Sequence, residues 1–190
     1  MSTVLSPSNL ALAFWAATDT GRVRKVNQDC FHIDTAINLA IVSDGVGGRK
    51  RGEVAAELAC RVVREHLIRH AQERAAFISK PDALERKAVC LLMRNAVQKA
   101  SAQVFEAGQD ITSGEGMSCT IDVVLILNTT AFIAHVGDSR TYLLREQKVY
   151  PLTEDHTVLQ EKIRRGVLTE EEAKTAKGGN ILTRAVGSLP

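Results

Sequence analysis

Apolar residues fall into two spacing regimes along this chain. Residues 30–33 alternate in part, and residues 37–43 form an apolar run ending at Asp44, which predicts two short strands joined as a hairpin. From Gly52 the period lengthens, and Val54, Leu58, Val62 and Leu67 recur at helical spacing to about His70. A second helix is predicted over residues 82–106 through Leu84, Ala88, Leu91, Leu92, Ala96, Val97, Ala100 and Val104, started at Pro81-Asp82 and stopped at Gly108. Residues 71–80 between the two read as a charged connector. Strand patterns return at 120–127, 131–136, 141–144 and 148–150, the first two joined by a turn at 128–130. Upstream, residues 10–18 carry alanines with Phe14 and Trp15 and read as a first strand closed by the turn Asp19-Thr-Gly21, after a loose terminus at 1–9. Residues 154–178 are charged and helix-prone with sparse anchors at Val158, Ile163, Val167 and Leu168, the pattern of a surface flap. Strands, then two helices, then strands argue for an α+β architecture of layered, mainly antiparallel sheets in a single domain over 1–190.

Bulk properties narrow the function classes. A net charge of +2 gives no footing for a nucleic-acid or membrane-surface partner. No apolar run nears the roughly 20 residues of a membrane span, and the first ten residues lack a basic stretch, so a cytoplasmic protein without a secretion signal is expected. Cys30, Cys60, Cys90 and Cys119 are dispersed with no Cys-x-x-Cys pair, which points to small buried thiols in a reducing compartment rather than to a zinc ribbon.

The candidate chemistry lies in carboxylates at strand ends. Asp44 ends one apolar strand and opens Asp-Gly-Val-Gly-Gly, Asp138 ends another in Val136-Gly-Asp-Ser-Arg140, and Asp29 stands just before a third. Any one of them alone reads as a turn residue; three such oxygen donors together suit a hard cation, Mg²⁺ or Mn²⁺. Gly45 lets a backbone carbonyl approach the same ion. Arg24, five residues before Asp29, is the natural phosphate clamp, with Arg22 and Lys25 as alternatives. Other signals are set aside. Residues 45–52 do not fit a dinucleotide fingerprint, because position 50 is Lys, and there is no Walker A pattern. His66 and His70 have zinc-compatible spacing but no glutamate follows His66, so they read as a surface or interface pair. Arg49-Lys50-Arg51 reads as a solvated loop able to attract anionic phosphoproteins, and His135 as a satisfied core histidine.

Six ordered segments resemble the metal-dependent Ser/Thr protein phosphatases of the type 2C (PPM) family, bacterial branch. They are Thr18-Asp-Thr-Gly-Arg-Val-Arg-Lys-Val-Asn-Gln-Asp29, Ser43-Asp-Gly-Val-Gly-Gly48, Gly116-Met-Ser-Cys-Thr120, Val136-Gly-Asp-Ser-Arg140, Leu152-Thr-Glu-Asp-His156 and Asn180-Ile-Leu-Thr-Arg-Ala-Val-Gly187. The resemblance implies a four-layer α-β-β-α sandwich with two Mn²⁺ or Mg²⁺ ions at one edge. It makes Asp44 the bridging ligand and the Gly45 carbonyl a further donor. Asp29 would hold metal-bound waters, directly or from behind them, Asp138 would serve an additional weaker site, and Arg24 would take the substrate phosphate. The implied reaction is attack of a metal-activated water on phosphoserine or phosphothreonine in proteins phosphorylated by a Ser/Thr kinase, with no covalent phosphoenzyme.

Two departures qualify what the resemblance implies. Some relatives have His directly after the Asp-Gly pair, a candidate leaving-group acid; here that position is Val46. The family pattern also continues into a late strand ending in a second Asp-Gly and a later Asp-Asn, whereas here the one aspartate after Asp138 is Asp155 in the flap. The expectation is a C-terminally incomplete sandwich, lacking its last strands, with exposed sheet edges and apolar faces and weak or no Mn²⁺-dependent activity. The alternative reading is a catalytically inactive relative that binds phosphoproteins or a partner domain.

Overall fold

The structure, a computed structural model, describes residues 11–46, 51–109, 116–176, 178–179 and 181–188. Its frame is an antiparallel four-stranded sheet in the order β1-β2-β3-β4, built from β1 (Asp29–Asp34), β2 (Leu39–Asp44), β3 (Ile121–Leu127) and β4 (Thr130–Val136). β1 and β2 form the expected hairpin, with Asp29 opposite Asp44 and the turn held by Asp34 accepting from the Ile37 and Ala36 amides. Because side chains alternate across a strand, Leu39, Ile41, Ile121, Val123 and Leu125 share one face. That face is covered by α1 (Gly52–Arg69) and α3 (Ala83–Gln109), which present Ala55, Ala59, Val63, Val89, Ala96 and Ala100 to a closed core. Small residues on the helices let them approach the sheet closely, and branched residues on the strands fill the space between. Asp82 caps α3 by accepting from the Glu85 amide at 3.0 Å, while Gly108 lies inside the helix rather than beyond its end.

Two elements differ from the sequence expectation. The connector at 71–80 contains a helix, α2 (Ala71–Ser79), with one buried residue, Phe77, set edge-to-face against Phe132 at 5.0 Å. A single anchor leaves almost no periodic signal, so tertiary packing rather than sequence pattern makes this helix. Conversely, the described residues of 10–18 form no strand: they pair with no described strand, and Trp15 is 86% exposed. Apolar composition without a pairing partner does not make a sheet element.

The chain then forms a two-stranded antiparallel sheet of β5 (Tyr142–Arg145) and β6 (Lys148–Pro151). The flap holds α4 (Val158–Arg164), capped by Thr157, and α5 (Glu170–Thr175), opened by a capping box between Thr169 and Glu172. Leu159 is the one buried apolar side chain among its described residues, and Val167 is exposed. Residues 181–188 return to the main body: Val186 exchanges two backbone hydrogen bonds with Cys119, and Thr157 bridges Leu182. The molecule is thus α+β with two antiparallel sheets flanked by helices. No helix among the described residues is long and apolar enough to cross a membrane.

The cysteines divide. Cys60 and Cys119 are buried and Cys30 half-buried, as expected of structural thiols, but Cys90 is exposed on α3. The His66 and His70 rings lie with centroids 4.2 Å apart and planes tilted by 31°, and His70 Nδ1 lies 2.9 Å from the His66 carbonyl, which turns that nitrogen back toward the helix. Of the basic run at 49–51 only Arg51 is described; it adopts a left-handed conformation at the start of α1. Gly47, Gly48 and residues 110–115 of the loop at 108–116 lie outside the described residues.

Candidate active site: a carboxylate cleft at the sheet end

The register of β1 against β2 decides which groups meet. Pairing Asp29 with Asp44 puts both carboxylates at the same end of the hairpin, and the turn after β4 brings Asp138 to that end. A cleft of about 370 Å³ opens there, lined by Arg24, Asp29, Asp44, Gly45 and Asp138 among others. All five residues singled out from sequence therefore share one concavity. Arg22 and Lys25, the alternative clamps, are not in its lining; Arg24 is, and it has no salt-bridge partner among the described residues.

Backbone geometry fixes the Asp44-Gly45 corner. The Gly45 amide donates to the Gln28 carbonyl at 3.0 Å, and the Val46 amide to the Ser118 carbonyl at 2.9 Å. A Cβ on Gly45 would lie 2.4 Å from the Gly52 carbonyl carbon and 2.8 Å from the Gln28 oxygen, both immovable backbone, so only glycine fits. On the other wall, Gly137 has φ +116° and lies against Thr120, and the turn is gripped by His156, whose Nδ1 accepts from the Gly137 amide at 3.2 Å. Accepting at Nδ1 requires a neutral ring, in keeping with a His156 pKa lowered by burial and by the nearby His135.

Thr120 ties the two walls together. Its Oγ1 accepts from the Asp44 amide at 3.0 Å and lies 2.7 Å from Ser139 Oγ, its own amide donates to the Asp44 carbonyl at 2.8 Å, and its carbonyl accepts from Ser43 Oγ at 2.6 Å. Asp29 is oriented from its own loop, its amide donating to Asn27 Oδ1 at 3.0 Å, while Asn27 Nδ2 donates to Thr18. Thr120, Ser139 and Asp19, which also lines the cleft, received no role from sequence. They stand within the recognised motifs, yet the link that Thr120 makes to Ser139 and Asp44 depends on a backbone register between segments 76 residues apart.

The electrostatics are those of a site with surplus negative charge. Partial burial of the Asp44 carboxyl, followed by its neighbours Asp29 and Asp138, pushes its pKa up to about 6, and Arg24 offsets only part of this. A divalent cation would neutralise that repulsion, so the donor set fits a hard metal ion in charge and chemistry. The carboxylates do not close around one: among the described residues, no three His, Cys, Asp or Glu side chains stand ready as a metal-holding group. Asp155 is not part of the cleft; Arg140 holds both its oxygens, at 2.8 and 2.7 Å.

Comparison with known proteins agrees with this geometry. A family profile described as Protein phosphatase 2C matches residues 20–175. The chain is 31% identical over 173 residues to the Serine/threonine phosphatase stp of Listeria welshimeri, a match covering 90% of this chain and 65% of the relative. The chain thus spans less than two thirds of that relative's length. Among solved structures it is similar to the S. agalactiae serine/threonine phosphatase, with a TM-score of 0.76 and 29% identity over 92% of this chain and 68% of that one. It is also similar to the catalytic domain of the serine threonine protein phosphatase PstP in complex with 2 manganese ions, with a TM-score of 0.62 and 30% identity over 89% of this chain and 64% of that one. The extent of the profile match, together with the cleft at the sheet end, establishes that the chain belongs to the protein phosphatase 2C family.

Proposed function

We propose that this chain provides the phosphate-binding and metal-gathering part of a protein serine/threonine phosphatase acting on phosphoserine and phosphothreonine in proteins. The observation that carries the reading is the convergence of Arg24, Asp29, Asp44, Gly45 and Asp138 on one cleft. Asp44, Asp29 and the Gly45 carbonyl would hold Mn²⁺ or Mg²⁺, with Asp138 supporting a further, weaker site. When bound, the metal lowers the pKa of water and neutralises phosphoryl charge. Arg24, free of any carboxylate partner among the described residues, orients the substrate phosphate. Thr120 keeps the Asp44 and Asp138 walls at a fixed separation through Ser139. Val46 offers no proton, so no leaving-group acid is assigned at that position. The phosphoproteins would be products of a Ser/Thr kinase in the cytoplasm.

One observation favours a second reading: the described carboxylates do not assemble into a ready metal-holding group. On that reading the chain binds phosphoproteins and turns them over weakly or not at all. The test combines Mn²⁺ binding by electron paramagnetic resonance with phosphate release from a phosphothreonine peptide. Asp44→Asn is expected to weaken Mn²⁺ binding by at least about tenfold. Arg24→Ala is expected to weaken phosphopeptide binding by about tenfold while leaving Mn²⁺ binding intact. Mn²⁺ binding unchanged by Asp44→Asn would sink the assignment of the cleft. Vigorous hydrolysis of p-nitrophenyl phosphate, abolished by Asp44→Ala, would instead overturn the expectation of weak turnover.

A further inference from the structure

We infer that the trough between α3 and the outer edge of β4 is a docking site for an extended peptide with an apolar centre and acidic flanks, which joins the sheet as a strand beside β4. Among the described residues β4 is an edge strand: it pairs with β3 alone, and no backbone group of Thr130–Val136 is bonded to any other segment. Proteins usually blunt such edges with lysine, proline or very short strands. β4 has seven residues and contains neither lysine nor proline. Its free N–H and C=O groups are the template for strand addition.

The side-chain chemistry beside this edge selects the partner. The trough holds about 540 Å³, with buried Met93, Val97 and Phe132 as its floor and no acidic side chain among the described residues that line it. Arg86 and Arg94 stand on the α3 lip, exposed and without a salt-bridge partner among the described residues, Arg86 resting over the Phe77 ring. Eight helical residues separate them, a rise of about 12 Å. Four residues of strand cover about 13 Å, and side chains at i, i+2 and i+4 share a face. An acidic residue at i and another at i+4 would therefore each meet an arginine while an apolar residue at i+2 enters the floor. Charge complementarity thus commits the site to an acidic peptide rather than to a second copy of this chain, whose β4 carries no acid.

The probe is a fluorescein-labelled peptide, Thr-Val-Glu-Thr-Ile-Thr-Glu-Val-Thr, titrated with the full chain by anisotropy. Saturable binding is expected, weakened at least about tenfold by the double variant Arg86→Glu, Arg94→Glu and regained when the peptide glutamates become lysines. N-methylation of alternate peptide amides on the β4-facing edge should abolish binding, since the strand would lose its backbone bonds. Bound peptide should also shield exposed Cys90 from N-ethylmaleimide, while the buried thiols stay unreactive. Both arginines are exposed, so the variants are expected to keep their circular dichroism. No saturable binding, binding indifferent to charge reversal, or binding indifferent to N-methylation would each overturn the proposal. So would a dimer in sedimentation that pairs through this edge and excludes the peptide. Because only binding is read, the result stands apart from whether the cleft hydrolyses phosphate.

Discussion

The two faces of the four-stranded sheet are made by the same strands and differ in nearly everything else. On the helix side Leu39, Ile41, Ile121, Val123 and Leu125 are at most 1% exposed beneath α1 and α3. On the other side Phe31 is 40% and Val42 47% exposed, and order comes from polar links. There Asp122 is buried, bonded to His135 and accepting from Thr141 Oγ1 at 2.7 Å, while His135 Nε2 meets the Glu154 carbonyl at 3.1 Å. Packing holds one face and a few directional bonds hold the other. The carboxylate cleft sits at the strand ends where the two regimes meet, so its walls inherit rigidity from the first and connection to the flap from the second.

The sharpest way to break this contrast is to open the packed face. Leu125→Ala removes a fully buried side chain from the helix side of β3, and it should cost about 3 kcal/mol, because the surrounding core can collapse only in part. Urea unfolding checks it. A loss below about 1 kcal/mol would mean that the helix side is no better packed than the other.

The polar pin on the opposite face should show a smaller effect with a pH signature. Burial alone would favour the neutral ring of His135, but the hydrogen bond and charge of Asp122 outweigh it and raise the pKa above its ordinary 6.5. A histidine raised on folding contributes stability that is fully present below the unfolded value and is lost as pH rises through the folded one. His135→Gln should therefore cost about 2 kcal/mol at pH 5.5 and about half as much at pH 9, read by denaturant midpoints in the two buffers. A penalty independent of pH, or larger at pH 9, would show that the ion pair is not what holds this face.

Legibility in the sequence follows the same divide. Elements that bury a repeating face announced themselves: the run ending at Asp44, the helix from Gly52 and the long helix through Val104 lie within a few residues of their predicted bounds. The helix at Ala71–Ser79 rests on Phe77 alone and left no periodic trace, while the apolar stretch at 10–18 mimicked a strand although nothing described pairs with it. In the cleft, Arg24, Asp29, Asp44 and Asp138 were legible because their chemistry is intrinsic to the side chain and they stand in ordered motifs. Thr120 and Ser139 were not, because a threonine becomes a strut between two walls only once the sheet register exists.

The smallest expected effect is the most discriminating for the exposed face. Val42 stands on β2 two residues before Asp44, with its side chain opposite that of the packed neighbours Ile41 and Ser43. Val42→Thr keeps the β-branched shape and strand preference, adds a hydroxyl that water can satisfy at a position 47% exposed, and should change stability by less than about 0.5 kcal/mol. The same substitution at Val123, on the helix side of the neighbouring strand, places an unpaired hydroxyl in the core and should cost about 2 kcal/mol. Equal penalties at the two positions would mean that something covers Val42 in solution. That would replace the picture of one packed and one polar-pinned face with two packed ones, and the cleft would then be framed by packing on both sides.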